Sequence, residues 1–106
     1  MDKEEKALQL IGLATRAGHV SKGMDATLAQ MERGKVQVLI LSKDIGESSK
    51  KKIMHKLQDY AIPYLSIGTH TSLGKFSGCR ARSVLGITEE NLSRGICKLF
   101  EEDLTL

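Results

Sequence analysis

The sequence predicts an α/β protein that folds as a three-layer α/β/α sandwich with a small mixed sheet. Segments with helical spacing of apolar residues alternate with short, β-branched segments along the whole chain. Residues 36–41 are almost continuously apolar, which is typical of a strand that is covered on both faces. A chain of 106 residues has room for one domain, so we expect residues 1–106 to form a single domain.

Two helices are predicted in the first third of the chain. The first spans about residues 3–17 and ends at Gly18, because glycine readily adopts the left-handed conformation that ends a helix. A short extended link at residues 19–22 leads to a second helix, which Gly23 opens and Gly34 closes. The apolar face of this second helix has spacing i, i+4, i+7 and is formed by Met24, Leu28 and Met31.

The middle of the chain predicts a helix and a strand after the strand at residues 36–41. Ser48 or Ser49 can cap a third helix that runs through Tyr60. Pro63 prevents this helix from continuing, and a strand is predicted at residues 64–67. The outward face of the third helix carries a cluster of lysines, namely Lys50, Lys51, Lys52 and Lys56.

The last third predicts a short helix, a loop, a strand and a final helix. The short helix spans residues 73–77, and the loop that follows spans residues 79–82. A strand is predicted at residues 83–87, and Thr88 can cap the last helix. Helices and strands therefore alternate to the end of the predicted domain.

Positive charge is concentrated in the middle of the chain, although the formal net charge is only +3. From Arg16 to Arg82 there are twelve Lys and Arg residues against five Asp and Glu residues, an excess of seven. A basic middle favours a polyanionic partner, whereas the alternative is a set of solvated helix faces. The chain has only two Tyr and two Phe residues, which argues against an aromatic platform for single-stranded nucleic acid.

The sequence lacks the motifs of common cofactor and catalytic sites. No G-x-G-x-x-G follows a strand and no G-x-x-x-x-G-K-[ST] is present, so no nucleotide cofactor is expected. Cys79 and Cys97 form no zinc pattern with the three histidines, so no metal is expected. Arg80 could lower the pKa of the Cys79 thiol, but the sequence offers this thiol no base. We expect a protein that is not an enzyme.

The N-terminus and the hydropathy of the chain predict a cytoplasmic protein without a membrane partner. The first residues, Met-Asp-Lys-Glu-Glu-Lys, are acidic where a signal peptide is basic. No apolar run approaches the roughly 20 residues that a membrane span needs. Two unpaired cysteines also fit a reducing compartment.

Three loops of the predicted sandwich could converge at one edge of the sheet. They are the turn from Lys22 to Gly23, the turn at residues 42–46 and the loop at residues 79–82. Gly23 leaves the first turn of its helix without a side chain, so backbone N–H groups there can meet an anion. Such an edge would offer phosphates both a helix N-terminus and guanidinium groups.

The residues along this scaffold resemble those of the kink-turn-binding ribosomal protein family, of the L7Ae and L30e type. Within that family the sequence is similar to the short bacterial YlxQ-like branch. The resemblance covers roughly residues 3–100. It is carried by Ile-Gly-Leu-Ala-Thr-Arg-Ala-Gly at residues 11–18, Gly23, Glu-Arg-Gly-Lys at residues 32–35, Val-Leu-Ile-Leu-Ser-Lys-Asp at residues 38–44, Ile-Pro-Tyr at residues 62–64 and the glycines of residues 68–78.

The resemblance implies an α/β/α fold and a ribosomal-protein-like function in binding structured RNA. The implied partners are a kink-turn-like or ribosomal RNA and the ribosome or other translation components. The family grips the sheared G·A pairs of a kink-turn with the helix that follows the glycine, and covers a flipped-out base with a later loop. The implied RNA-binding residues are Lys22, Gly23, Met24, Asp25, Lys43, Cys79, Arg80, Ala81 and Arg82.

Three positions depart from the family pattern on the helix after Gly23. Asp25, Ala26 and Ala29 stand where the family usually has Asn, Glu and Lys. An ionised Asp accepts but does not donate hydrogen bonds, and Ala offers no polar group to a base edge. The departures leave two hypotheses open, namely an RNA-binding protein and a protein-interaction module that has lost specific RNA contacts.

Overall fold

The computed structural model describes residues 2–78 and 80–101, and this part of the chain forms five helices and a four-stranded sheet. No helix within it is long and apolar enough to cross a membrane. The elements in chain order are α1 (Lys3–Arg16), β1 (Val20–Lys22), α2 (Met24–Glu32), β2 (Val38–Leu41), α3 (Glu47–Leu57), β3 (Tyr64–Ser66), α4 (His70–Phe76), β4 (Val84–Ile87) and α5 (Glu90–Leu99).

The strands form one mixed sheet in the order β1-β4-β2-β3. β2 and β3 are parallel, whereas β4 is antiparallel to both of its neighbours, β1 and β2. The predicted extended link before Gly23 is therefore a strand, in which Lys22 lies opposite Leu85. The ends of β1, β2 and β3 and the start of β4 lie at one edge of the sheet. We call this edge, marked by Lys22, Leu41, Ser66 and Val84, the α2 edge.

Helices cover both faces of the sheet, so the predicted three-layer sandwich is confirmed. Val38 and Ile40 belong to the core under α1, α4 and α5, and Leu39 and Leu41 belong to the core under α2 and α3. All four residues of β2 are buried, because successive side chains of a strand point to opposite faces. This double burial is the reason that the strand is continuously apolar rather than alternating.

The start of α3 differs from the prediction. α3 begins directly after Gly46, which makes no side-chain cap, so neither Ser48 nor Ser49 caps the helix. It also ends at Leu57 rather than at Tyr60. Gly46 has an extended conformation that the N-cap position requires, and Glu47 then places an acid in the first turn, where it suits the helix dipole.

The start of α4 lies three residues before the predicted start. Thr69 accepts a hydrogen bond through its hydroxyl from the N–H of Ser72 at 3.2 Å. In return, the Ser72 hydroxyl accepts one from the N–H of Thr69 at 2.9 Å. This reciprocal capping box satisfies two backbone donors at once and starts the helix at His70.

The cap of α5 is Glu89 rather than the predicted Thr88. Its carboxylate accepts hydrogen bonds from the N–H groups of Leu92 at 2.6 Å and Asn91 at 3.0 Å. The pKa of Glu89 lies below its ordinary value. The hydrogen bond from Leu92 lowers this pKa most, and the bond from Asn91 and the charge of His19 lower it further. Together these effects outweigh the desolvation of the carboxylate, which raises the pKa.

Candidate nucleic-acid interface

The chain passes from β1 into α2 through a single glycine. Gly23 has φ +91° and ψ 171°, a backbone conformation that is essentially restricted to glycine. Its N–H donates to the carbonyl of Val84 at 2.8 Å, and no side chain caps the helix at this residue. The first turn of α2 is therefore held against β4 while its outer side carries no capping group.

Arg82 lies directly over Gly23. A Cβ atom added to Gly23 would lie 3.2 Å from Nη1 of Arg82, so the guanidinium would have to shift by a few tenths of an ångström to admit it. Arg82 is half-buried, and its backbone N–H donates to the carbonyl of His70 at 2.9 Å. Its Nε atom is buried and has no hydrogen-bond partner within the part of the chain that the structure describes. The Arg82 side chain therefore connects the loop before β4 with the turn at Gly23.

The loop before β4 rests on the backbone of α4. A Cβ atom added to Gly74 would overlap the carbonyl of Arg80 and lie 2.8 Å from Cα of Ala81. Arg80 and Ala81 are both exposed. Cys79 falls outside the described residues. The glycine in α4 therefore lets the loop approach closely enough to present residues 80 and 81 to solvent beside Arg82.

Lys43 lies at the same edge, on the side nearer β3. Its backbone N–H donates to the carbonyl of Gly68 at 2.8 Å, and its ammonium group forms an ion pair with Glu4 at 2.5 Å. The other carboxylate oxygen of Glu4 accepts a hydrogen bond from the N–H of Gly68 at 2.9 Å. Glu4 in the first turn of α1 thus fixes the turn after β3. Its carboxylate also partly neutralises the charge of Lys43, which was predicted to bind phosphate.

Asp44 and His70 form a second polar contact at the α2 edge. One carboxylate oxygen of Asp44 accepts from the N–H of His70 at 2.9 Å, and the other lies 2.5 Å from Nδ1 of the same residue. Desolvation raises the pKa of Asp44, but the hydrogen bonds and charge of His70 outweigh it. The pKa of Asp44 therefore lies below its ordinary value of 3.8.

The outer face of α2 carries little hydrogen-bonding capacity. Asp25 is almost fully exposed, and Lys52 of α3 lies 4.0 Å from its carboxylate. Ala26 and Ala29 are exposed as well. An exposed ion pair at this distance contributes little to stability, so Lys52 offsets little of the negative potential that the Asp25 carboxylate presents to solvent. The face that the resemblance assigns to base contacts is therefore mostly small and apolar.

The structure brings most of the predicted residues to one edge, though not into one cluster. Lys22 ends β1 half-buried beside Gly23, while Met24 packs into the core under α2 and α3. Lys43 follows β2, two strands away from β1. Asp44 lies in the turn at residues 42–46, which was predicted to reach this edge, whereas Glu4 and His70 were not predicted there because their contacts join residues distant in the chain.

Backbone hydrogen bonds join the segments at the α2 edge to one another. Several of them run between segments that are at least 12 residues apart in the chain, with lengths of 2.8–2.9 Å. They link Gly23 to Val84, Ser42 to Ser83, Lys43 to Gly68 and Arg82 to His70. The loops at this edge therefore form one connected surface.

Comparison with known proteins finds relatives across nearly the whole chain. The family model described as "Ribosomal protein L7Ae/L30e/S12e/Gadd45 family" matches residues 5–96. The RNA-binding protein YlxQ of Enterococcus faecium is 30% identical over 97 residues, which cover 92% of this chain and 93% of that protein. The protein of the same name from Bacillus subtilis is 27% identical over 92 residues, covering 87% and 92%. A solved structure of a protein of unknown function from Bacillus halodurans C superposes with a TM-score of 0.84 at 34% identity, covering 91% of this chain and 97% of the other.

Proposed function

The chain belongs to the ribosomal protein L7Ae/L30e/S12e/Gadd45 family, and we propose that it is a non-enzymatic protein that binds structured RNA at the α2 edge. Its relatives from Enterococcus faecium and Bacillus subtilis are both named as RNA-binding proteins. The resemblance inferred from the sequence is thereby confirmed at the level of the family.

The observation that carries this proposal is the contact between Gly23 and Arg82. It joins the start of α2 to the loop at residues 80–82, which are the two segments that the resemblance assigns to RNA. Around this contact, Lys22 and the exposed Arg80 supply positive charge, and the uncapped start of α2 supplies backbone donors. Cations and helix N-termini are the groups that proteins use to hold phosphates.

The partner that fits this surface is a folded RNA with a sharp bend, either a kink-turn or another ribosomal element. The chain has few aromatic residues for stacking single-stranded bases, so the shape of a folded backbone suits it better than an extended strand. We place the protein in the cytoplasm with the ribosome or other translation components, since its family is one of ribosomal proteins.

The proposal is tested by a mobility shift of a kink-turn RNA beside an RNA of equal length whose G·A pairs are disrupted. We expect the kink-turn RNA to bind more tightly. We also expect log K to fall by about 0.7–0.9 for each phosphate contacted per decade of salt. Arg80→Ala should reduce this slope, whereas Lys35→Ala, an exposed cation near the end of α2, should leave it unchanged. If the protein bound neither of the two RNAs, the proposal would be refuted.

A second candidate function is a protein-interaction module on the same fold. It is favoured by the outer face of α2, where Ala26 and Ala29 are exposed beside an acidic Asp25. A partner that remains bound to the wild-type protein after nuclease treatment, and is lost from Ala26→Arg, would support this candidate.

A further inference from the structure

We propose that the outer side of α1 is a second binding surface, which takes an amphipathic helix of a partner protein with an acidic residue at each end of its apolar stripe. α1 lies with α4 and α5 on the face of the sheet opposite to α2 and α3. The surface is therefore separate from the α2 edge, and a partner bound to it would leave that edge free for RNA.

An apolar groove follows the outer side of α1. It runs between Phe76 of α4 and Leu99 of α5, and Leu10 and Leu13 of α1 lie along it. Leu13 is 46% exposed and is the only exposed large hydrophobic residue in the part of the chain that the structure describes. A single exposed leucine is common on a protein surface, but this one shares its groove with three half-buried apolar side chains. Contiguous apolar area of this kind marks an interaction site.

α1 has apolar residues on two of its sides. Leu10 and Leu13 lie on the outward side, where their i, i+3 spacing places them next to each other. Leu13 packs into neither of the two cores, so the fold alone does not account for an apolar residue at this position. The side of α1 that faces the sheet is buried and consists of Ala7, Leu8, Ile11 and Ala14.

Each end of the groove carries a cation. Lys6 and Arg16 are ten residues apart on the same side of α1 as Leu13, which places their Cα atoms about 15 Å apart along the helix. A Cβ atom added to Gly12 would lie 3.6 Å from both Nη1 of Arg16 and Cδ1 of Phe76, so the guanidinium folds back over the groove. Within residues 2–78 and 80–101, neither cation forms an ion pair and no residue that lines the groove is acidic.

These charges favour an acidic helix over a second copy of this chain. If α1 packed on α1 of a second copy with Leu13 at the centre, antiparallel packing would bring Lys6 to Arg16, and parallel packing would bring each cation to its own counterpart. Like charges oppose either arrangement. An amphipathic helix whose apolar residues bind the groove and whose carboxylates reach both cations satisfies the whole surface. Its two acidic residues should lie about ten residues apart, as the cations do.

The probe is a synthetic helical peptide that mirrors the pattern of α1. It has Glu at positions i and i+10 and Leu at i+3, i+4 and i+7, and a fluorescent label reports binding by anisotropy. One control peptide has Lys in place of both Glu residues, and a second has the same composition in shuffled order. We expect the wild-type protein to bind the acidic peptide most tightly, and added salt to reduce its advantage over the Lys peptide.

Two single variants test the apolar and the charged part of the groove separately. Leu13→Gln should weaken binding of the acidic peptide about 3- to 10-fold, because the partner can bury the exposed half of this side chain. Arg16→Gln should weaken it about two- to fivefold and reduce its salt dependence. Lys56→Gln, which removes an exposed cation from α3 on the opposite face, should leave the affinity unchanged. Melting curves show that each variant is folded, and Leu13→Gln should keep the mobility shift of the kink-turn RNA.

The double variant Lys6→Glu with Arg16→Glu reverses the charge at both ends of the groove. It should prefer the Lys peptide to the acidic one, a gain of binding that an unfolded protein would not show. Equal binding of the acidic and control peptides, no binding of the acidic peptide, or an unchanged affinity in Leu13→Gln would overturn the proposal. A dimer in sedimentation that Leu13→Gln dissociates would assign the groove to a second copy. Loss of RNA binding in a folded Leu13→Gln would assign it to RNA, and either result would also overturn the proposal.

Discussion

At the scale of single residues, the shape of the α2 edge depends on glycines whose missing side chains let another part of the chain approach closely. Gly23 has a positive φ and lies under the guanidinium of Arg82. Gly74 has an ordinary helical conformation but lies against the backbone of residues 80 and 81. The first glycine is needed for both conformation and space, the second for space alone.

Substitution of Gly23 by Ala should destabilise the protein. The backbone at φ +91° and ψ 171° is strained for any other residue, and the new Cβ would lie 3.2 Å from Nη1 of Arg82. We expect the free energy of unfolding to fall by about 1–3 kcal/mol. Urea denaturation of the purified variant, monitored by circular dichroism, measures this change.

Two other glycines provide controls for the Gly23→Ala variant. Gly46 has a negative φ and open space around it, so Gly46→Ala should change the free energy of unfolding by less than about 1 kcal/mol. Gly18 has φ +78° but no atom within 4 Å of an added Cβ, so Gly18→Ala isolates the conformational strain. If Gly23→Ala were as stable as Gly46→Ala, the strain assigned to Gly23 would be absent.

The positions of Gly23 at a helix start and of Arg82 in a loop were easier to predict than the contact between them. A glycine before an amphipathic segment already indicates a helix start, and an Arg in a loop already indicates a candidate phosphate ligand. Their contact depends on the pairing of β1 with β4, which are about 60 residues apart in the chain. Local patterns contain no information on that pairing. The same reason explains why the ion pair between Glu4 and Lys43 was not predicted.

At the scale of elements, α4 acts as the support for the loop at residues 80–82. A helical glycine is usually a weak point, and its replacement by Ala stabilises a helix by up to about 1 kcal/mol. Gly74→Ala should do the opposite, because its Cβ would overlap the carbonyl of Arg80 and force the loop away. We expect a lower free energy of unfolding and weaker RNA binding, measured by urea denaturation and mobility shift.

Gly95 of α5 is the matched control for Gly74. An added Cβ there would lie 3.6 Å from Cδ1 of Leu10, which is ordinary van der Waals contact. Gly95→Ala should therefore stabilise the protein by about 1 kcal/mol and leave RNA binding unchanged. An equal gain in stability for Gly74→Ala would show that the loop does not rest on α4.

The residues at which helices begin were harder to predict from the sequence than the existence of the helices and strands. The strand at β2 was predicted because its apolar run is unambiguous, although the strand itself begins at Val38 rather than at residue 36. The start of α4 was missed because the capping box of Thr69 and Ser72 contains Ser in place of the usual Glu or Gln. The cap of α5 was assigned to Thr88, whereas the longer Glu89 side chain reaches two backbone N–H groups.

At the scale of the whole molecule, two carboxylates at opposite edges of the sheet make stability depend on pH in the same direction. The pKa values of Asp44 and Glu89 lie below their ordinary values of 3.8 and 4.5, because each carboxylate accepts hydrogen bonds in the folded protein. The folded state therefore holds fewer protons than the unfolded state in this range. The stabilisation is present above the unfolded pKa values and is lost as the pH falls through the folded ones.

We accordingly expect the free energy of unfolding to rise as the pH increases through the acidic range and to level off above the ordinary pKa values of 3.8 and 4.5. Asp44→Asn and Glu89→Gln should each flatten part of this rise, because an amide does not titrate. Urea denaturation at a series of pH values measures the slope for each protein. Slopes identical to that of the wild type in both variants would contradict the hydrogen-bonding assignment.

The backbone hydrogen bonds at the α2 edge affect how much the protein and a bound RNA can each change shape on binding. A bond from Gly23 to Val84 and another from Arg82 to His70 leave the protein little freedom to remodel this surface. A partner RNA would then have to bend to match a template of fixed shape, and the cost of ordering would fall on the RNA. An RNA that is already bent in solution, for instance by magnesium ions, would then associate faster than the same RNA in an extended form. Substitutions far from the α2 edge would have little effect on this rate.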